Sequence, residues 1–474
     1  MMNSGITESL RAFSDTILDS VKANKSIMLT THMDCDGLVS GAIMANALAR
    51  INAKFTVHAV KELDSTSIAR LRGSNRDLHV IMDLGAGSAK ELDDALGERW
   101  LVLDHHKIPD NERDSAQVFN AWKYDIDGGS EICTGGMAYV ASTCLDDVNE
   151  DLSVLAVVAA LGDRQDRGDK RSLIGKNKAI SEQAQSLGLL EIGQNLLLTG
   201  RETKPLVDAL ASTSSPFING LTWNKKMCSN VLDDAGVQQK EGDRWRMASE
   251  LSKDEIRSVA DAIAKFAAGS SSADAIGDLV GYVYTLPRES RQSLLRDGRE
   301  FATMLNSCAR MGRPSIGVAI CMGDRRRAPA EGATVLTEYQ GVIHDHMNML
   351  TNERWRIAKR PHHIVVNAGG VVTESMAGAI CSLFADSSKY SSKVVILSTD
   401  GERGAIKISS RRSPGCKLDI DLGGLIHEAA EIASGRGGGH DTTAGATISK
   451  DKMDEFLDFL EERFAKLQSE DRDK

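Results

Sequence analysis

The sequence predicts an α/β protein: a doubly wound parallel sheet, then a mainly helical insertion, then a smaller C-terminal α/β unit. Three observations carry that prediction. Up to about residue 185, short apolar runs alternate with stretches of helical spacing, the rhythm of strand–helix–strand units. From GQNLLLTGRETKPLVDAL to about residue 345 the apolar spacing is mainly helical. Beyond that, the strand-like runs KVVILST and GAIKISS return, followed by the helical IHEAAEIAS. The expected domains are therefore residues 1–185, 186–345 and 346–474, a number in keeping with a chain of 474 residues.

The first element to carry chemistry is TTHMDCDGLVSG. The run SIMLT ahead of it reads as a buried strand and LVSGAIMANALAR behind it as a helix, so His32, Asp34 and Asp36 fall in a strand-to-helix turn. Such turns line the edge of an α/β sheet where sites collect. Two carboxylates and an imidazole that close together repel unless cations hold them, and oxygen with imidazole nitrogen suits Mn²⁺, Mg²⁺ or Zn²⁺. An Asp-x-Asp-Gly alone is also an ordinary turn.

Three later elements repeat the grammar. Asp83 follows the apolar run HVIM; Asp104, His105 and His106 follow LVL; Asp163 ends the helical stretch LAVVAALG. Four apolar elements that each end in Asp or His converge on one face of a parallel sheet, with enough donors for two metal ions sharing a carboxylate. Cys35, between the first acids, reads as a small apolar spacer.

In the middle region, ELSKDEIRSVADAIAKFA reads as an amphipathic helix with Ser252 as N-cap and Glu255 three residues on, and AAGSSSADAIGD as a loop or linker. The tail from Lys450 is a further amphipathic helix. In the C-terminal unit, Gly437, Gly438 and Gly439 form a loop before His440. Successive glycines let backbone N–H groups turn toward an anion, although a tight turn beside a helix has the same signature.

Composition narrows the class. No apolar run approaches the roughly 20 residues of a membrane span, and MMNSGITESLRAF, with Glu8 and no long apolar core, does not read as a secretory signal. Eight cysteines without a Cys-x-x-Cys pair read as reduced thiols of a cytoplasmic protein. The net charge of −10 excludes binding of polyanions through the overall field, so nucleic acid would need a local basic track. Arg310 with Arg313, Arg325 to Arg327, Arg354 to Arg360, and Arg411 with Arg412 are the candidates. For stacking against bases the candidates are Trp122, Tyr124 and Trp355.

The order HMDCDG, MDLG, LDHH, LGD resembles the DHH phosphoesterases, named for the triplet at Asp104, His105 and His106. GRGGGHDTTAGATI resembles the signature of their companion DHHA1 domain. YDIDGGSEICTGGMAY and REFATMLNSCARMGRPSIGVAICMGD resemble the archaeal RecJ-like single-strand exonucleases, also called GINS-associated nucleases. Those are relatives of a eukaryotic replicative-helicase subunit of the cell-division-cycle series.

The resemblance implies one ion on His32, Asp34 and Asp83 and another on Asp36, Asp83, His105 and Asp163, with Asp83 the bridge. His106 would contact the scissile phosphate, and Asp104 would orient a neighbouring imidazole. The family's usual ion is Mn²⁺, with Mg²⁺ the alternative. Arg411, Gly437, Gly438, Gly439 and His440 would hold phosphate, with the active cleft between the two α/β domains. The implied activity is exonucleolytic hydrolysis of single-stranded nucleic acid, DNA before RNA, in replication or repair, with GINS and the replicative helicase as partners. Two rivals share these residues: a short-oligonucleotide or cyclic-dinucleotide phosphodiesterase, and a replisome scaffold that binds GINS with secondary nuclease activity.

Overall fold

The computed structural model describes residues 4–472, apart from 109–114, 215–217, 219, 269–278, 388–391, 414, 417 and 419. The chain divides into two compact units, Met1–Gln194 with Gly281–Thr337, and Asn195–Val280 with Glu338–Lys474.

The N-terminal part of the first unit alternates as its apolar rhythm predicts: α1 (Ser4–Lys22), β1 (Ser26–His32), α2 (Cys35–Arg50), β2 (Lys54–Val60), α3 (Ser65–Gly73), β3 (Leu78–Met82), α4 (Ala89–Leu96), β4 (Trp100–Asp104) and β5 (Val118–Asn120). The strands lie in the order β2-β1-β3-β4-β5 and every adjacent pair is parallel. β3 and β4 are buried along their whole length, which is why they read as nearly continuous apolar runs, interrupted by His79 and ended by Asp104. From β1 the chain winds first to β2 and then back to β3 on the other side. The β1–β3 boundary is therefore the switch point, the place where such sheets open a crevice at the carboxyl ends of their strands.

Three more helices follow in this unit, α5 (Thr134–Leu145), α6 (Ser153–Gly162) and α7 (Gly175–Ser186). α2 packs against both α5 and α6. Leu38, Val39, Ala42, Ile43 and Leu48 are fully buried, as befits a helix that is apolar around most of its circumference. Asp34 caps α2, accepting from the N–H of Gly37 at 2.9 Å. A Cβ on Gly37 would lie 2.3 Å from the His32 carbonyl oxygen, so the glycine of Asp-Cys-Asp-Gly is demanded by this close turn.

Next come β6 (Glu191–Leu196), α8 (Leu206–Ser212), α9 (Lys225–Asp234), β7 (Lys240–Glu241), β8 (Arg244–Trp245), α10 (Lys253–Ala268) and β9 (Val280–Thr285). α8, α9 and α10 close on one core that includes Leu210, Leu232, Val259 and Ile263. The capping box of α10 is present: Glu255 N–H donates to Ser252 Oγ at 3.3 Å, and Ser252 N–H donates to Glu255 Oε2 at 2.9 Å. The linker read in AAGSSSADAIGD lies, from residue 269 to 278, outside the described residues.

α11 (Gly298–Arg310) and α12 (Pro314–Cys321) belong to the first unit, packing on α6 and α2 respectively. α13 (Ala328–Asn352) then runs unbroken through 25 residues.

The C-terminal part of the second unit is a mixed six-stranded sheet built from β10 (Ile357–Lys359), β11 (His363–Asn367), β12 (Val394–Asp400), β13 (Ile406–Arg412), β14 (Arg436–Gly439) and β15 (Thr443–Ile448). Their order is β10-β11-β12-β13-β15-β14, and only β11 and β12 are parallel. α14 (Glu374–Asp386) packs on β12 and β13, where Cys381 Sγ reaches the carbonyls of Val395 and Ser409. α15 (Leu422–Ile432) and α16 (Met453–Arg472) bury the alternate side chains Val394, Ile396 and Ile408, with Phe456, Leu460 and Phe464 of α16 fully buried. All eight cysteines are free thiols.

One expectation is corrected here. The glycine run is a strand, β14, at the edge of this sheet and paired with β15, rather than a loop. The physical reason is close packing: a Cβ on Gly437 would lie 2.9 Å from those of Ala430 and Ala446 and 3.0 Å from the Ile426 carbonyl. At Gly437 the strand can therefore press against α15 only without a side chain.

Candidate metal centre

At the carboxyl ends of β1, β3 and β4 the register is continuous, with Thr31 beside Met82 and Met82 beside Leu103. One step further along each strand brings His32, Asp83 and Asp104 into a single row. Asp34 and Asp36 join them from the start of α2, His105 and His106 from the end of β4, and Asp163 from the end of α6. Parallel strands put all their carboxyl ends on one edge, so the linear pattern of apolar run followed by acid becomes a cluster.

Within that cluster, ligand atoms group as His32, Asp34 and Asp83; as Asp36, His105 and Asp163; and as Asp83, His105 and His106, each group within 4.8 Å. His32 Nδ1 lies 3.0 Å from Asp34 Oδ2 and 3.3 Å from Asp83 Oδ2. His105 Nε2 lies 3.4 Å from Asp83 Oδ1 and 3.7 Å from carboxylate oxygens of both Asp36 and Asp163. Asp83 thus turns one oxygen to each imidazole. Its backbone has φ 67°, a left-handed conformation that costs an Asp of the order of 1 kcal/mol and that clusters at functional positions.

Electrostatics show what the cluster would accept. Burial pushes the Asp36 carboxyl well above the usual range, and the charge of Asp83 pushes it further. Burial also raises Asp163, and His105 offsets only part of that. For Asp83, burial is outweighed by hydrogen bonds from His105 and His32, which hold it well below the usual range. Burial lowers His105, but Asp163, Asp83 and Asp36 more than reverse this and hold it well above its ordinary value. These groups crowd negative charge into a space where Asp36, Asp83 and His105 are each 1% exposed. Oxygen and imidazole donors so arranged fit divalent cations.

The donors are held from behind by uncharged groups. His105 Nδ1 donates to the Gly128 carbonyl at 2.6 Å, which fixes the ring and turns Nε2 toward the three carboxylates. Gln165 Nε2 donates to that same carbonyl and to Asp163 Oδ2, both at 2.7 Å, and its Oε1 accepts from Asn177 Nδ2 at 2.6 Å. Thr134 Oγ1 donates to Asp83 Oδ1 at 3.0 Å. The N–H groups of Thr134 and Gly135, at the start of α5, donate to Asp36 at 2.9 and 2.7 Å. His106 Nδ1 donates to Asp104 Oδ1 at 2.7 Å, while Asp104 Oδ2 accepts from the Ala86 N–H at 2.9 Å. Thr134, Gln165 and Asn177 went unread in the sequence. Two of them carried a signal: Gln165 stands two residues after Asp163, and Thr134 lies within YDIDGGSEICTGGMAY.

The remaining predicted site residues lie in the second unit. Arg411 runs along α14, with Nε donating to Ser382 Oγ at 3.0 Å. Gly438 pairs with Gly445 and Gly445 with Ser409, so Gly438 shares the Arg411 face of the sheet, and nothing stands within 4 Å of where its Cβ would be. Gly437 faces α15 instead. His440 sits in the β14–β15 turn, its N–H donating to the Thr443 carbonyl at 2.7 Å.

Comparison with known proteins fits this geometry. Residues 26–162 match the DHH family, N-terminal domain; 198–280 the DHH-CID domain; and 363–466 the DHHA1 domain. An uncharacterized protein of Methanocaldococcus jannaschii is 27% identical over 447 residues, covering 92% of each chain. Among solved structures, CDC45 from Entamoeba histolytica is similar with a TM-score of 0.63 at 12% identity, over 97% of this chain and 99% of that one. RecJ in complex with Mn²⁺ from Thermus thermophilus is similar with a TM-score of 0.59 at 15% identity, over 97% of this chain. The match takes in 55% of that RecJ, so the present chain spans about half its length. Among the described residues no helix is long and apolar enough to cross a membrane. With DHH, DHH-CID and DHHA1 domains in sequence on a RecJ-like fold, the chain belongs to the DHH/DHHA1 phosphoesterase superfamily.

Proposed function

We propose that this protein is a two-metal-ion phosphodiesterase that shortens single-stranded nucleic acid from an end, DNA before RNA. The observation that carries the reading is Asp83, whose two carboxylate oxygens face His32 and His105 separately at 3.3 and 3.4 Å. His32, Asp34 and Asp83 would hold one divalent cation, and Asp36, Asp83, His105 and Asp163 the other, Mn²⁺ before Mg²⁺. Such a pair supplies Lewis acidity toward both water and a phosphoryl oxygen.

The chain's own groups do the rest. The Gly128 carbonyl holds His105 in one tautomer, and Thr134 and Gly135 fix the carboxylates of Asp83 and Asp36. The His106 side chain is 42% exposed where Asp104 behind it is 2% exposed. Burial lowers the His106 ring, but the Asp104 carboxylate reverses this and raises it above its ordinary value. It is thereby kept ready to donate to a phosphate oxygen as charge develops there. Arg411, Gly437, Gly438, Gly439 and His440 are assigned to phosphate contact in the same reading, with Gly438 the position open enough to approach.

The test is Mn²⁺-dependent digestion of end-labelled single-stranded DNA and RNA by wild type beside Asp83→Ala. Stepwise shortening by wild type alone supports the proposal and gives polarity and sugar preference. Intact long strands with both proteins overturn it. Cleavage confined to fragments of a few nucleotides or to cyclic dinucleotides would favour the scavenging phosphodiesterase instead. GINS and the replicative helicase are the partners, and the cytoplasm the location, that accompany this reading. Co-purification of GINS with the Asp83→Ala protein checks the partner assignment and separates a scaffold role from catalysis.

A further inference from the structure

The three aromatic side chains considered for stacking have three different fates. Trp122 is tied into the fold, its Nε1 donating to the His105 carbonyl at 2.9 Å. Tyr124 backs onto α1, where a Cβ on Gly5 would lie 3.0 Å from its ring. Trp355 is 69% exposed, more than any other large hydrophobic residue among those described.

That exposure is not looseness. The Arg356 guanidinium stacks on the indole, with its carbon 4.4 Å from the ring centroid. Arg356 is itself anchored: Nε donates to Glu353 Oε2 at 2.6 Å, and one Nη donates to the carbonyls of Asn367 and Gly369 at 3.2 and 3.0 Å. The indole is thus held out from the surface on a fixed support, so a ligand stacking on it orders little that is not already ordered.

The surroundings are cationic. The segment ERWRIAKR carries Arg354, Arg356, Lys359 and Arg360 against Glu353 alone, in a chain of net charge −10. Glu353 is engaged by Arg356, while exposed Arg354 and Arg360 form no ion pair among the described residues. β10, which ends in Lys359, is the outer strand of its sheet and, among the described residues, pairs only with β11. Lysine and arginine on an edge strand also discourage strand-on-strand association. That purpose needs no propped, exposed indole in front of the strand.

We propose that Trp355, with Arg354 and Arg360, is a binding site for single-stranded nucleic acid. A base stacks on the indole and neighbouring phosphates lie against the two guanidinium groups. Every base has a π-face and every nucleotide a phosphate, so the site grips a strand without reading sequence. The ligand class follows the proposed function, but the site is additional to the metal centre and to the DHHA1 glycine strand.

The test is equilibrium binding of fluorescein-labelled oligothymidylate and oligouridylate to the full chain in EDTA, read by anisotropy. Trp355→Ala is expected to raise Kd about tenfold, as one lost stack would, and Trp355→Phe to restore most of it. Replacing Arg354 and Arg360 together with Ala should flatten the slope of log K against log salt by about 1.4, from two lost phosphate contacts. Trp355 is exposed, so unchanged thermal melting certifies the fold. An unchanged Kd for Trp355→Ala overturns the proposal whatever the hydrolysis assay shows. Weakened binding in a protein that hydrolyses nothing keeps this site and removes the nuclease. Hydrolysis dependent on Asp83, with unaltered binding by Trp355→Ala, does the reverse.

Discussion

His105 and Gly128 are joined by a hydrogen bond of 2.6 Å from the imidazole Nδ1 to the backbone carbonyl, and much of the candidate centre hangs on it. The bond leaves one tautomer, with Nε2 turned to Asp36, Asp83 and Asp163. A Cβ on Gly128 would overlap the His105 carbonyl oxygen at 1.9 Å, so this backbone must be glycine to come so near. Gln165 donates to the same carbonyl, coupling the orientation of His105 to that of Asp163.

Gln165→Met keeps the volume and removes both donors. Mn²⁺ affinity measured by calorimetry is expected to fall about 10–100-fold, the usual cost of losing an outer hydrogen bond to a metal ligand. Circular dichroism should be unchanged. An unaltered affinity would show that Gln165 only fills space.

Divalent cations should stabilise the first unit, because they relieve the crowding that pushes the carboxyls of Asp36 and Asp163 up. At about 100 times Kd, each bound ion adds about 2.7 kcal/mol. Differential scanning calorimetry with and without Mn²⁺ should therefore show a higher midpoint with the metal. Asp83→Asn should abolish most of the increment, since it weakens both clusters. A midpoint indifferent to Mn²⁺ contradicts the site.

His79, on β3, is buried and its Nδ1 has no hydrogen-bond partner among the described residues. Burial, with Arg99 and Arg76 adding repulsion, lowers its pKa to about 4. Below its ordinary value of 6.5 the unfolded chain therefore binds more protons than the native one, and stability falls as pH drops from 6.5 toward 4. The slope this residue adds is at most about 1.4 kcal/mol per pH unit. Urea midpoints across that range should show the fall, and His79→Leu should flatten it.

The capping box of α10 gives a second window, further into acid and of the same sign. Glu255 is held at about 2 by the Arg246 guanidinium and by the Ser252 N–H. Its contribution is present above the ordinary value of 4.5 and is lost as pH falls toward 2. Ser252→Ala should cost about 1 kcal/mol in urea unfolding at neutral pH. The same measurement on Glu255→Gln should show less further loss in acid than wild type.

What could be read from the residues was what local rules govern. The capping box at Ser252 and Glu255, the amphipathic tail and the strand-ending acids all follow from spacing along one element, and each is present in the fold. Where a long-range partner decides the conformation, spacing failed. Gly437 to Gly439 look like a loop until β15 pairs with them and α15 lies across them.

The sequence by itself determined that apolar runs ending in Asp or His would be strands and helices of an α/β sheet, and hence that their ends would meet. Parallel winding leaves no other edge for them. Only the tertiary structure decided which groups hold that cluster: a carbonyl at Gly128, the hydroxyl of Thr134, the amide of Gln165. It also decided that Trp122 is tied inward while Trp355 stands out on Arg356. Neutral hydrogen-bonding groups and exposure carry no signature in spacing, because both are set by neighbours distant in the chain.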